Sequence, residues 1–185
     1  RWFGPLIVLL TLFAGCNQSP PPFKSIVVPP VEWGGNFKLT AQDGKPFDTA
    51  ALTGKAQVLF FGFTHCPDVC APTLAKLAQV MKALGPDSNR VQVLFVTVDP
   101  EHDTPAQLKK YLAGFDTAFI GLTGSVAETL AVQRDHKIFS EAEGSTITHT
   151  SSLMVKDKQG RLKLVMNESL SVQEMADDLR LLLAQ

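Results

Sequence analysis

Apolar residues form an unbroken run at Val58-Leu59-Phe60-Phe61, inside the stretch Gln57 to Leu74, QVLFFGFTHCPDVCAPTL. A short continuous run of this kind, bounded by turn residues, predicts a strand buried on both faces. Beyond it the period changes. Ala71, Leu74, Leu77, Ala78 and Met81 recur at spacings of three and four, which predicts a helix with one apolar face. Gly85-Pro86-Asp87 ends that helix, and Val91 to Val98, VQVLFVTV, is a second strong strand. A loop from Asp99 to Pro105 follows. Thr104 caps a helix through Tyr111 with Pro105 at its first position, where a missing N–H costs nothing. Ala118 to Leu122 reads as a short strand, and Ser125 to Val132 as a helix opened by the turn Thr123-Gly124-Ser125.

The flanks carry alternation instead. Asn36-Phe37-Lys38-Leu39-Thr40, the turn Asp43-Gly44 and a return through Phe47 predict an N-terminal β-hairpin. Asp135 to Ile147 is polar and reads as an excursion or a hairpin. Ser151 to Lys156 and Arg161 to Met166 are paired strands around the turn Asp157 to Gly160. Ser171 with Glu174 forms a capping box for a last helix through Met175, Leu179 and Leu182. Strands alternating with helices, closed by a hairpin and a helix, predict an α/β fold with a central mixed sheet flanked by helices.

The N-terminus reads differently from the rest. Arg1 is followed by an apolar run, Leu6 to Phe13, that is short of the ~20 residues a bilayer-spanning helix needs. Its length suits a signal peptide. Ala14-Gly15 directly before Cys16 resembles the bacterial lipoprotein signal, in which that cysteine becomes the lipidated N-terminus; Phe13 stands where that signal usually has Leu. The rival reading is an uncleaved anchor with Cys16 idle. Asn17 to Pro30, rich in Pro, Ser and Asn, reads as a tether. The expected division is therefore a signal peptide over 1–15, a tether over 16–30 and one folded domain over 31–185. With 17 Lys and Arg against 18 Asp and Glu in 185 residues, no basic excess points to nucleic acid, and none is expected as a partner.

Three cysteines are too few for a disulfide scaffold. Cys66 and Cys70 lie where the first core strand gives way to its helix. Unpaired amides and a positive dipole end favour thiolate at such a place. On one helical turn, residues at this spacing share a face with Cα atoms ~6 Å apart, within disulfide reach. The same pair could hold one soft metal ion, Cu(I) or zinc rather than magnesium or calcium. Two packed core cysteines are the plain alternative, although Pro67 and Asp68 argue against a smooth buried face. His65, His102 and His136 read as surface or satisfied core residues. His149, in Thr148-His149-Thr150-Ser151, precedes a predicted strand.

Three separated motifs from about Phe37 to the C-terminus resemble the Sco/SenC copper chaperones of cytochrome oxidase assembly. They are THCPDVC with Thr73-Leu74 following, VDPEHDTP at Val98 to Pro105, and His149 before Ser-Ser-Leu-Met-Val. The resemblance implies a thioredoxin-like fold and a copper ion, Cu(I) or Cu(II), held by Cys66, Cys70 and His149. It implies a chaperone that delivers copper to the binuclear centre of a terminal oxidase, and the N-terminal pattern adds export to the extracytoplasmic, periplasmic side of a bacterial envelope with a lipid anchor in the membrane. The partners implied are the oxidase subunit that carries that centre, with other copper chaperones or thiol–disulfide oxidoreductases beside it. Two positions depart from the family pattern: Ala71 stands where Pro often follows the second cysteine, and Thr148 where Asp commonly precedes the histidine. Asp99 reads either as a carboxylate near the site or as a turn residue before Pro100.

The rival function is a thiol–disulfide reductase that keeps the oxidase's copper-ligand cysteines reduced, with Cys66 and Cys70 as its redox-active pair. A thiol peroxidase fits less well, since Phe63 and Pro67 stand three residues before the two cysteines in place of Thr or Ser. A purely structural lipoprotein leaves the pair unexplained. The N-terminal pattern makes one prediction: Cys16→Ser should abolish lipid attachment and leave the protein unprocessed or mislocalised, while its thiol chemistry survives in detergent. Mass spectrometry of the mature chain checks this, and an unchanged mature mass would refute lipidation.

Overall fold

The computed structural model describes residues 22–143 and 146–185. The expected signal peptide and Cys16 lie outside them. In chain order the elements are β1 (Ile26–Val27), β2 (Lys38–Ala41), β3 (Pro46–Asp48), β4 (Ala56–Gly62), α1 (Cys70–Leu84), β5 (Val91–Thr97), α2 (Pro105–Leu112), β6 (Ile120–Thr123), α3 (Val126–Asp135), β7 (Ser140–Glu143), β8 (Thr146–His149), β9 (Leu153–Lys156), β10 (Leu162–Met166) and α4 (Val172–Leu183). The main sheet has the order β1-β10-β9-β4-β5-β6-β2-β3. Its three middle strands, β4, β5 and β6, are parallel, and the flanking pairs are antiparallel. This is the expected mixed sheet in a thioredoxin-like arrangement, with the predicted β2–β3 hairpin along one edge.

β4 explains why its sequence shows no alternation. Ala56, Val58 and Phe60 pack into one core with Leu74, Leu77 and Val80 of α1 and Met175, Leu179 and Leu182 of α4. Leu59 and Phe61 pack into a second core, on the other face, with Leu94 and Val96 of β5, Val132 of α3 and Met154 of β9. The two parallel crossovers, through α1 and α2, both feed the first core.

Two stretches differ from their expected form, and between them one open reading is settled as a hairpin. The strand foreseen over Ala118 to Leu122 is β6, because Asp116 accepts hydrogen bonds from Ala118 N and Phe119 N and holds that end as a turn. The polar stretch after α3 is the two-stranded hairpin β7–β8, so His149 ends a strand and does not simply precede one. Residues 23–28, placed by composition in the tether, pack into the domain instead. Ile26 and Val27 pair with Val165 and Leu164 of β10, and buried Asp178 accepts from Lys24 N and Ser25 N at 3.0 and 2.7 Å. Proline-rich composition describes the neighbours of this segment but not its two-residue apolar register.

Away from the cysteine loop, the second core encloses two ionisable groups. His136 is fully buried between Phe37 and Phe61 and donates Nδ1–H to Val132 O at 2.9 Å. Lys156, also fully buried, donates to Gly35 O at 2.6 Å. Burial, and then the neighbouring Lys156 charge, push the His136 imidazole down to about 4 from its ordinary 6.5. Its neutral form is therefore favoured in the fold. That contribution is complete above the unfolded value and is lost as pH falls from 6.5 towards 4. Urea unfolding should lose up to about 3 kcal/mol over that interval. His136→Phe should flatten this limb, and parallel pH curves for the two proteins would contradict it.

Candidate functional site

The chain leaves β4 through Phe63-Thr64-His65-Cys66 and enters α1 at Cys70. Both thiols are free. Cys66 is not on the helix, so the two cysteines do not share a helical turn; Cys66 sits in the loop ahead of the first turn. α1 opens without a side-chain N-cap hydrogen bond, which leaves the amides of its first turn without intrahelical partners beside the Cys66 loop. Burial pushes its thiol up. The Cys70 side chain and the amides of Asp68, Cys70 and Val69 outweigh that, and the net direction is down. Cys70 is the opposite case. It is fully buried in the first core, and burial, then its hydrogen bond to Cys66, push its thiol well up.

Gly62 makes room for this. A Cβ there would lie 2.9 Å from Cys70 Sγ and 2.9 Å from the Phe95 ring, too close for either to stay in place. The glycine ending β4 is therefore required by the thiol that opens α1.

His149 arrives from β8, at the other end of the sequence. Its Nε2 lies 3.7 Å from Cys70 Sγ, and its Nδ1 lies 3.1 Å from Thr150 O. A carbonyl only accepts, so Nδ1 carries the proton and the Nε2 lone pair faces the thiols. Phe63 packs edge-on against the ring, 5.8 Å between centroids. The ligand atoms of Cys66, Cys70 and His149 all lie within 4.8 Å of one another, a group the size of one metal ion's coordination sphere. Two soft sulfurs and one imidazole suit a thiophilic transition metal.

Asp99, weighed from the sequence as a further carboxylate, is not in this group. It accepts from His102 Nδ1 at 2.9 Å and stays in its own loop. The sequence reading passed over Asp103 instead. Its buried carboxylate accepts from Thr64 N at 3.0 Å, Thr64 Oγ1 at 2.6 Å and Thr97 Oγ1 at 2.7 Å. It thus ties the loop that carries Cys66 to the end of β5. Tyr111 was also passed over. Its buried hydroxyl has no hydrogen-bond partner among the described residues, and burial, then the charges on Cys70 and Cys66, push it up to about 12. The VDPEHDTP motif advertised Asp103, but only as one more polar loop residue.

A family model described as SCO1/SenC matches residues 29–184. The mitochondrial SCO2 protein of Saccharomyces cerevisiae is 43% identical over 110 residues, 59% of this chain and 36% of that protein, so the chain spans well under half the length of that relative. The copper-bound structure of Bradyrhizobium japonicum ScoI is 38% identical with a TM-score of 0.75, covering 81% of this chain and 99% of that one. BsSco, a Sco-family cytochrome c oxidase assembly protein described for its disulfide switch, is 27% identical with a TM-score of 0.71, covering 84% and 96%.

The Asp103 latch makes a prediction. Asp103→Ala leaves three donors without their acceptor and should cost roughly 3 kcal/mol of stability in urea unfolding. It should also slow closure of the Cys66–Cys70 disulfide by a mild oxidant, since Cys66 loses its fixed place. Unchanged stability and closure would mean that the loop holds itself through its backbone alone.

Proposed function

The chain belongs to the SCO1/SenC family, and on that premise we propose that it is an exported, membrane-tethered protein that carries copper to the binuclear centre of a terminal cytochrome oxidase. The observation that carries this reading is the meeting of Cys66, Cys70 and His149 donor atoms within 4.8 Å. The donor set fits the cargo. Paired thiolates hold Cu(I), and one imidazole lets the same site accept Cu(II). The Thr150 carbonyl fixes the His149 tautomer, the kind of outer contact that orients a metal-binding imidazole. Likeness to copper-bound ScoI supports the metal, and likeness to BsSco supports the oxidase-assembly role. Export and lipid anchoring at Cys16 rest on the N-terminal sequence pattern. Among the described residues, no helix is long and apolar enough to cross a membrane.

The thiol asymmetry favours a second reading, a reductase that keeps the oxidase's copper-ligand cysteines reduced. Half-buried Cys66, with its thiol pushed down, is the attacking sulfur; buried Cys70 is the resolving one. Attack by Cys66 forms a mixed disulfide and releases one thiol of the target. Cys70 then attacks Cys66, closing the intramolecular disulfide and releasing the second thiol.

His149 separates the two. His149→Ala leaves a dithiolate that still satisfies Cu(I), which accepts few, soft ligands, whereas Cu(II) prefers additional nitrogen donors. Losing an outer-shell partner of a metal ligand costs 10–100-fold in affinity, so losing the ligand should cost Cu(II) at least about 100-fold. Cu(I) should lose under about tenfold, and reduction of a small disulfide should be nearly unchanged. All three are measured on one purified variant. Intact Cu(II) binding with collapsed disulfide exchange would overturn the copper reading.

A further inference from the structure

A pair of imidazoles stands beside the Cys66 loop, and nothing in the three-ligand arrangement uses it. His65 directly precedes Cys66 and its side chain is 62% exposed. His102, from the loop after β5, is 70% exposed. Their rings face each other edge-on, with centroids 6.3 Å apart and planes at 73°.

Proton counting fixes both tautomers. The Asp99 carboxylate, 2.9 and 3.0 Å from His102 Nδ1, only accepts, so Nδ1 carries the proton and, in the neutral ring, Nε2 carries the lone pair. For His65 the partner is Thr64 Oγ1, 3.2 Å from Nδ1. That hydroxyl has one proton and gives it to Asp103 at 2.6 Å, so towards His65 it accepts. His65 Nδ1 is then also the protonated nitrogen. Two neighbouring exposed histidines each offer a free Nε2, with the opposite nitrogen held, as in metal-binding imidazoles. A metal–imidazole bond is ~2.0 Å and the ring centre lies ~1.1 Å beyond the nitrogen, so one ion tolerates centroids up to about 6 Å apart. Small rotations of two exposed side chains close the difference.

We propose that His65 and His102 form a rim site for Cu(II), through which the ion reaches Cys66. The entry role rests on the copper-delivery reading; the nitrogen site itself does not. Imidazoles suit Cu(II), whereas thiolates suit the softer ion, so a nitrogen pair ahead of a sulfur pair matches a metal arriving oxidised. Consecutive Cα atoms are ~3.8 Å apart, so the ion moves from His65 to Cys66 by ligand exchange. The imidazole–copper bond breaks as the sulfur–copper bond forms, the thiol proton passes to the released imidazole nitrogen, and copper keeps its oxidation state.

The test removes the main site first. The full chain carrying Cys66→Ser, Cys70→Ser and His149→Ala is titrated with Cu(II) ion alone, in a glycine buffer that competes for loosely held metal. One equivalent should bind, with nitrogen hyperfine splitting in its paramagnetic resonance spectrum and no thiolate charge-transfer band. Adding His102→Gln should weaken that binding at least tenfold, with circular dichroism showing the fold intact. In the otherwise unaltered chain, His102→Gln should slow the appearance of the thiolate–Cu(II) band about tenfold and leave its final intensity unchanged. Binding by the background variant that ignores His102, or a loading rate that does, overturns the proposal. Absence of the thiolate band from the unaltered chain would instead sink the copper-delivery reading, a separate outcome from the same titrations.

Discussion

A strand buried on both faces has nowhere to put polar groups until it ends, and β4 ends at the site. Its side chains feed two cores, so the chain that leaves Gly62 must turn within a few residues into a helix that roofs the first core. The backbone groups freed by that turn need partners. Asp103 supplies an acceptor for Thr64, and the amides at the entry to the helix draw the Cys66 thiol down. The reactive position of Cys66 is thus a consequence of how the strand terminates. Cys70 is held by the same constraint from the other side, since it fills space that exists only because residue 62 lacks a side chain.

The parts of this arrangement that are local were legible in the sequence. The β4 run, the α1 period, the Thr104 and Ser171 caps and the hairpin at Asp43-Gly44 each rest on residues close in sequence, and each stands where expected. The parts that failed are non-local. Nothing near Ile26 announces that β10, more than a hundred residues later, will offer it an edge. Nothing in VDPEHDTP says that its second aspartate, not its first, is the buried one; that depends on Thr64, in the loop after β4, converging with Thr97 at the end of β5. Spacing alone left open whether Cys66 shares a helical turn with Cys70 or lies in the loop ahead of it, and it lies in the loop. His149 rose above the other histidines only through a family resemblance, and the pairing of β7 with β8 is what carries it to Cys70.

The two thiols face opposite demands in the two proposed functions, and their environments differ in a way that bears on both. Disulfide exchange needs one sulfur ready as thiolate and a second that stays protonated until a mixed disulfide exists; the half-buried and the buried cysteine are graded in that order. Metal binding needs both as thiolates, so an ion must displace the proton from Cys70 in a place where burial strongly favours keeping it. Only a metal with high affinity for sulfur overcomes that opposition. A hard ion such as magnesium or calcium gains too little from a thiolate to do so. On the copper reading proposed above, the buried cysteine would therefore act as a filter. The same burial that would keep it in reserve as the resolving sulfur would exclude ions that bind through oxygen, and His149, already aimed at it with a free lone pair, would supply the third donor to a soft ion.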